Sequence, residues 1–214
     1  MPHKIYNIDC LEYMSKCRDQ EFDLAIVDPP YMANIDEYLG MQKRLNNGKA
    51  QNTDYKDTQT FGKPSKKYFK ELFRVSKKQI IWGINHFKNF GPGRIIWDKN
   101  NSGQFNDCEI AYQNISKSIR IYKCTWNGML QYNMKDKETR IHPTQKPIQL
   151  YKWLLMNYAK PGQKVLDTHL GSGSIIIAAE ELGFDIVGCE INKDYYNAAV
   201  KRINLKIAQK KLML

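Results

Sequence analysis

Asp28-Pro29-Pro30-Tyr31 is the stretch of this chain whose residue types could do chemistry. It follows the apolar run Leu24-Ala25-Ile26-Val27, so a buried strand ends at an acid, two prolines and an aromatic ring. The prolines fix the local backbone and cannot extend a hydrogen-bonded ladder. A stiff loop at the carboxyl end of a strand results, which is where open α/β sheets bind ligands. A carboxylate and a rigid backbone carbonyl can accept both hydrogens of an exocyclic amine while the ring stacks on a flat base. The plain alternative is a strand that ends in a proline turn with a solvated Asp28.

A second constellation lies near the other end of the sequence. The expected strand Lys164–Asp167 is followed by Leu170-Gly171-Ser172-Gly173-Ser174, a helix over Ile175–Leu182 ending at Gly183, a strand Asp185–Cys189, and then Glu190. Strand, glycine turn, helix, strand and acid make a nucleotide-type binding unit, with the acid placed for ribose hydroxyls. The third glycine of a dinucleotide fingerprint is absent, and no Gly-Lys-Ser/Thr is present to clamp phosphate. Such a loop favours an adenosyl ligand without phosphate. Small residues serving only a tight βα turn are the alternative.

Both constellations need strands beneath them. Ile5, Tyr6 and Ile8 suit a short strand, after which Asp9 can cap a helix carrying Leu11 and Met14. Residues 65–76 have the spacing of an amphipathic helix. Strands are expected at Gln79–Gly83, Arg94–Trp97, Glu109–Gln113 and Ser118–Thr125, with a turn at Gly91-Pro92-Gly93. Pro147 is expected at the first helical turn, leading into the helix Ile148–Tyr158, and Asn192 as the cap of a last helix reaching about Lys210. Residues 32–63 are polar and read as a flap, partly helical around Ile35–Leu45. Residues 98–141 read as hairpin-like elements around a small recognition surface.

At 214 residues the chain suits one α/β domain with modest insertions. Its 33 Lys and Arg against 22 Asp and Glu give a formal net charge of +11, which points to a polyanionic partner such as nucleic acid. The five cysteines form no Cys-x-x-Cys pair, so reduced thiols in a cytoplasmic protein are expected, and no metal site. No stretch approaches the ~20 apolar residues of a membrane span.

Asp28–Tyr31, His142-Pro143-Thr144-Gln145-Lys146-Pro147, Val165–Ser174 and Cys189–Tyr196 together resemble the amino-methyltransferases of DNA, which move a methyl group from S-adenosylmethionine to an exocyclic base nitrogen. With the catalytic loop first and the glycine loop last, the order is similar to their permuted β subgroup, which includes phage and restriction-modification enzymes. The resemblance implies a Rossmann-like, mostly parallel, doubly wound α/β sheet of the class I methyltransferase kind, circularly permuted, as a single domain over 1–214. Asp28, Pro29, Pro30 and Tyr31 would form the catalytic loop. Asp9 would meet the cofactor adenine and Glu190 its ribose, with Cys10 and Ile191 also among the cofactor-binding residues. Asp167, His169, Gly171, Ser172, Gly173 and Ser174 would line its methionine portion, over which His142, Thr144 and Lys146 would close. Thr168 and His169 depart from the family's Pro-Phe, and Ser174 from its Thr. The implied reaction is N6-adenine methylation of a flipped-out base in duplex DNA, since Asp in the first position of the loop is more often seen with adenine and Ser with N4-cytosine. N4-cytosine or RNA methylation, modification of a protein glutamine, a non-catalytic nucleic-acid-binding module and a dehydrogenase stay open as alternatives. So do the oligomeric state, a dimer included, and the recognition sequence, for which the short polar segments suggest a brief or relaxed site.

Overall fold

Leu24 and Ile26 face one side of strand β2 (Phe22–Val27) and Ala25 and Val27 the other, and all four are buried in two separate apolar clusters. A strand covered on both faces belongs inside a doubly wound sheet. The computed structural model, which describes residues 3–31, 62–100, 106–127 and 130–212, shows that sheet. Along the chain come β1 (Lys4–Tyr6), α1 (Cys10–Ser15), β2, α2 (Lys66–Val75), β3 (Ser76–Trp82), β4 (Arg94–Asp98), β5 (Cys108–Gln113) and β6 (Ile119–Lys123). They are followed by α3 (Ile148–Tyr158), β7 (Lys164–Asp167), α4 (Ser174–Leu182), β8 (Asp185–Cys189) and α5 (Lys193–Leu212). Among the described residues the strands form an eight-stranded sheet in the order β1-β8-β7-β2-β3-β5-β4-β6. Every neighbouring pair is parallel except those of β5, which runs antiparallel to β3 and β4. Leu150 and Leu154 of α3, Ile176 of α4 and Ile203 of α5 cover one face; Met14 of α1 and Tyr68 and Leu72 of α2 cover the other.

Three elements differ from expectation. β3 begins at Ser76, directly after α2, where the Ser76 hydroxyl donates to the Leu72 carbonyl at 2.5 Å and closes the last turn. The segment 98–141 supplies β5 and β6 to the central sheet: β4 and β5 are antiparallel neighbours, while β6 crosses to the outer side of β4 and forms the edge. Pro147 stands at the cap position, outside the helix (φ −68°, ψ 146°), and the first amide of α3, Ile148 N–H, donates to Glu138 Oε1 at 2.9 Å. The flap expected at 32–63, with its helix at 35–45, lies outside the described residues apart from its last two.

Glu138 does more than cap α3. Its other oxygen accepts from Arg202 Nη2 of α5 at 2.6 Å, and Arg202 Nη1 donates to the Ser172 carbonyl (2.8 Å) and the Ser174 hydroxyl (3.0 Å). Both side chains are almost wholly buried, at 3% and 9% exposure. One ion pair therefore ties the last helix, the start of α3 and the glycine loop together. Removing one partner strands the other charge in the interior, which typically costs ~3–5 kcal/mol. Glu138→Ala should lower unfolding free energy by that amount in urea titration, and Glu138→Met/Arg202→Met should recover much of it; equal losses in both variants would show that the pair is not the source.

Candidate active site

From β2 the chain leaves through α2 to β3, and from β7 it leaves through α4 to β8 on the opposite side. β2 and β7 are hydrogen-bonded neighbours, so the direction of travel reverses between them. Open α/β sheets form their ligand crevice at such a point. Asp28 directly follows β2, and Asp167 ends β7. A cavity of about 240 Å³ opens there, walled by Asp28–Tyr31, His142–Lys146, Thr168–Ser172 and Cys189–Ile191, with Asp9 and Cys10 at its side. All four sequence stretches singled out above meet at this one place.

The catalytic-loop residues are held from below. Pro29 is buried, and the Tyr31 ring stacks on His86 with centroids 4.4 Å apart and planes 8° from parallel. Gly83, at φ +67°, makes room for that ring: a Cβ there would sit 2.3 Å from Tyr31 Cδ1. Only glycine combines the left-handed backbone with that clearance. Asp28 Oδ2 is paired with the Lys146 ammonium, whereas Oδ1 is buried without a hydrogen-bond partner among the described residues. Burial is the largest influence on the Asp28 carboxyl and pushes it above the ordinary range, against the pull of Lys146. One carboxylate oxygen is thus anchored, and the other is left to accept a hydrogen bond from a ligand.

On the far wall, Glu190 accepts from the Gly171 amide through Oε2 (2.8 Å) and from the Asn192 amide through Oε1 (2.9 Å), so it stitches the glycine loop to the end of β8. Asp9 caps α1, accepting from Leu11 N–H at 2.6 Å, while still lining the cavity. Asp167 is buried and accepts from His169 N–H at 3.0 Å. Burial lifts its carboxyl to about 7, with the His169 amide opposing and Asp28 and Glu190 adding to the rise. Thr168 and His169 have a visible role: Thr168 Oγ1 bonds Tyr68 OH of α2 at 2.7 Å and His169 Nδ1 at 2.9 Å, tying α2 to the loop after β7. Burial keeps His169 neutral, at about 4. Ile191 lines the rim, half exposed. Asp167, Gly173 and Ser174 lie behind the wall, where Gly173 (φ +72°) caps α4 and the Ser174 hydroxyl bonds the Ser172 hydroxyl and the Arg202 guanidinium.

His142 and Thr144 form a third wall. The His142 ring packs over Gly171 and edge-on to Tyr195 at 4.4 Å, and its Nδ1 lies 3.3 Å from Thr144 N–H. Burial, with Arg140 and Lys146 nearby, drops it to about 3, so it is neutral. Lys146 lines the cavity beside His142 and Thr144, and its ammonium is taken by Asp28 and by Glu109 of β5, at 3.0 Å from the latter. Lys99 closes on Glu109 from the other side at 2.7 Å. Glu109, Lys99, Tyr68 and His86 escaped the sequence reading. A lone acid in the otherwise uncharged strand Cys108–Gln113 is the signal that could have singled out Glu109. Among the described residues no group of three His, Cys, Asp or Glu gathers as a metal site, and no described helix is long and apolar enough to cross a membrane.

A family model described as DNA methylase, of the N6/N4 type, matches residues 94–201. The type II methyltransferase M.HindIII of Haemophilus influenzae is 31% identical over 130 residues, which are 59% of this chain and 40% of that protein. The type II methyltransferase M2.DpnII of Streptococcus pneumoniae is 24% identical over 236 residues, covering 91% of this chain and 87% of that one. The chain thus spans less than half the length of the first relative and most of the second. Among solved structures, the putative DNA modification methylase TTHA0409 of Thermus thermophilus, complexed with S-adenosyl-L-methionine, superposes with a TM-score of 0.57 at 16% identity over 96% of both chains. That likeness bears on the fold, a class I methyltransferase sheet. The family match takes in half of this chain, from β4 through the glycine loop and Glu190 into α5, and the chain belongs to the N6/N4 family of DNA methylases.

Proposed function

We propose that the protein methylates the N6 amine of adenine in DNA, with S-adenosylmethionine as donor. The observation that carries the reading is the unpartnered Oδ1 of Asp28, set in the same cavity as the glycine loop and Glu190. An adenosyl ligand suits the residues present. The Gly171–Gly173 turn brings bare backbone to the cavity, Glu190 stands at the strand end for a ribose, and no lysine or arginine sits in the loop to claim a phosphate. Asp167 supplies an acid toward a cationic amino-acid portion, and Asp9 and Cys10 border the adenine side. When bound, the cofactor supplies an electrophilic methyl group on a sulfonium.

The chain's own residues do the rest. Tyr31, stacked on His86 at the mouth of the cavity, would pack against a base extruded from the duplex. Asp28 Oδ1 and the Pro29 carbonyl accept the two N–H bonds of the amine, which turns its lone pair away from them. Positioning and electrostatics then carry the rate, as expected for an already activated methyl group. No cysteine lies in the loop to add to a pyrimidine ring. In the family that these motifs resemble, an aspartate at the place of Asp28 is more often seen with adenine than with N4-cytosine, which supports the adenine reading. The +11 charge supplies affinity for phosphate without base information, and the segments 32–63 and 98–141 are short for sequence readout, so a brief or relaxed target is proposed.

Incubation with tritiated cofactor and DNA, followed by nucleoside analysis, tests this directly. N6-methyladenine is expected at many contexts on a plasmid; N4-methylcytosine, or adenine methylation confined to one long motif, would overturn the corresponding part. Asp28→Ala should slow transfer by ~10²–10³ or more while cofactor affinity stays close to wild type. Near-normal turnover in that variant rules out the assigned role of the loop.

Asp167 sets a pH dependence. With its carboxyl held up near 7, it is largely protonated below that pH and ionised above it. Affinity for the cationic cofactor should therefore rise with pH below 7, by at most roughly tenfold per pH unit, as linkage to one proton requires. Calorimetry on Asp167→Asn should give a flat profile; the same slope in that variant would place the titrating group elsewhere.

A further inference from the structure

Lys146 is among the most deeply buried cations described, with its side chain 2% exposed, and it lies between two carboxylates from different parts of the fold. Asp28 comes from the loop after β2 and Glu109 from β5, the strand inserted antiparallel between β3 and β4. Lys99, just past β4, pairs with Glu109 Oε1 at 2.7 Å. The result is a line of alternating charge: Asp28, Lys146, Glu109, Lys99. Asp28 ends this line and holds one ammonium, whereas Glu109 holds two.

We propose that Lys146 is a positioning residue for Asp28, anchoring Oδ2 so that Oδ1 faces the target amine as an ionised acceptor, and that Glu109 is the fixed counter-ion that keeps Lys146 charged. The proposal rests on the methylation reading given above. Its physical basis is the cost of a buried ammonium, which needs a permanent partner. If Asp28 were that partner, proton uptake by Asp28 would leave Lys146 uncompensated. Glu109 removes the constraint, because it keeps Lys146 paired whichever protonation state Asp28 holds. The charges behave accordingly: burial opposes ionisation of Glu109, yet Lys146 and Lys99 outweigh it and hold its carboxyl at about 2. Burial likewise disfavours the Lys146 ammonium, and Asp28 and Glu109 more than restore it.

Other titratable groups face Asp28 as well. Asp167 approaches from the end of β7, Tyr68 from α2 and Tyr151 from α3, with Tyr31 in the same loop as Asp28 acting on Lys146. A test must therefore separate Lys146 and Glu109 from these. The two make opposite demands. Removing the positive charge of Lys146 raises the midpoint of Asp28, and removing the negative charge of Glu109 lowers it.

The experiment is a pH titration of the Asp28 carboxyl by NMR in protein labelled with ¹³C-aspartate, with the resonance assigned by its loss in Asp28→Asn. Lys146→Gln should move the midpoint up and Glu109→Gln should move it down, each by about one pH unit or more. Lys146→Arg, which keeps the charge, should restore it. The acid limb of single-turnover methyl transfer to DNA should follow in the same directions. A purely structural bridge would leave the midpoint unmoved, or move it the same way in both variants, and either result overturns the proposal. Should Lys146→Gln fail to fold, Lys146→Arg and Glu109→Gln carry the test, and a midpoint that stays unmoved or rises in Glu109→Gln overturns the proposal. The titration is read on protein without DNA. An unmoved midpoint therefore defeats the role of Lys146 even where DNA is methylated, and failure of the wild-type protein to methylate any DNA defeats the reading beneath it.

Discussion

The divergence of the chain between β2 and β7 opens a crevice over their carboxyl ends, and the site is assembled from what those ends carry. Backbone amides and side chains that would otherwise be covered by a crossover are exposed there to a ligand. Asp28 lines that crevice and Asp167 lies just behind its wall because each follows a buried apolar run at a strand end. Glu190 joins them because β8 lies beside β7 in register, Asp167 opposite Gly188. The position of three acids is thus a property of strand order, set before any particular side-chain contact.

Asp28 and Glu190 line the crevice with Asp167 behind its wall, and burial disfavours the charge of each. The fold answers differently at each. Glu190 is neutralised locally by two backbone amides. Asp28 is given a full positive charge, Lys146, delivered from the loop ahead of α3. Asp167 has a single amide and is left close to its proton. Dehydrating a charge costs several kcal/mol in a protein interior, so this gradation sorts the acids into one held by backbone amides, one anchored by a buried ammonium, and one left close to its proton. The Glu138–Arg202 pair on the far side holds the glycine loop still while these charges act.

What could be read from the sequence was local. Asp9 and Asn192 as caps, the glycine turn, and the strand–acid endings at 28 and 190 all depend on residues within a few positions of one another. Lys146 is different. Its partner in the catalytic loop is 118 residues away, and its second partner belongs to a strand that reaches the site only because β5 inserts antiparallel next to β3. Spacing along a chain carries no trace of such a pairing. The start of α3 is a related case: the carboxylate that satisfies its first amide comes from Glu138, ten residues upstream. The strands β5 and β6 could be placed in sequence but not in the sheet, because their order depends on which neighbour each one finds.

The strand order also bears on how the protein emerges from a ribosome. β1 has its only described partner in β8, and β7 is the strand that joins β8 to β2. When residues 4–123 have been made, β2, β3, β5, β4 and β6 can pair, yet one edge of β2 stays open and β1 has nothing to join. Unpaired strand edges in a partly made chain invite association with other chains. The two strands that lie between β1 and β2 are synthesised last, so the nascent chain keeps that edge of β2 open until residues 164–189 arrive to close it.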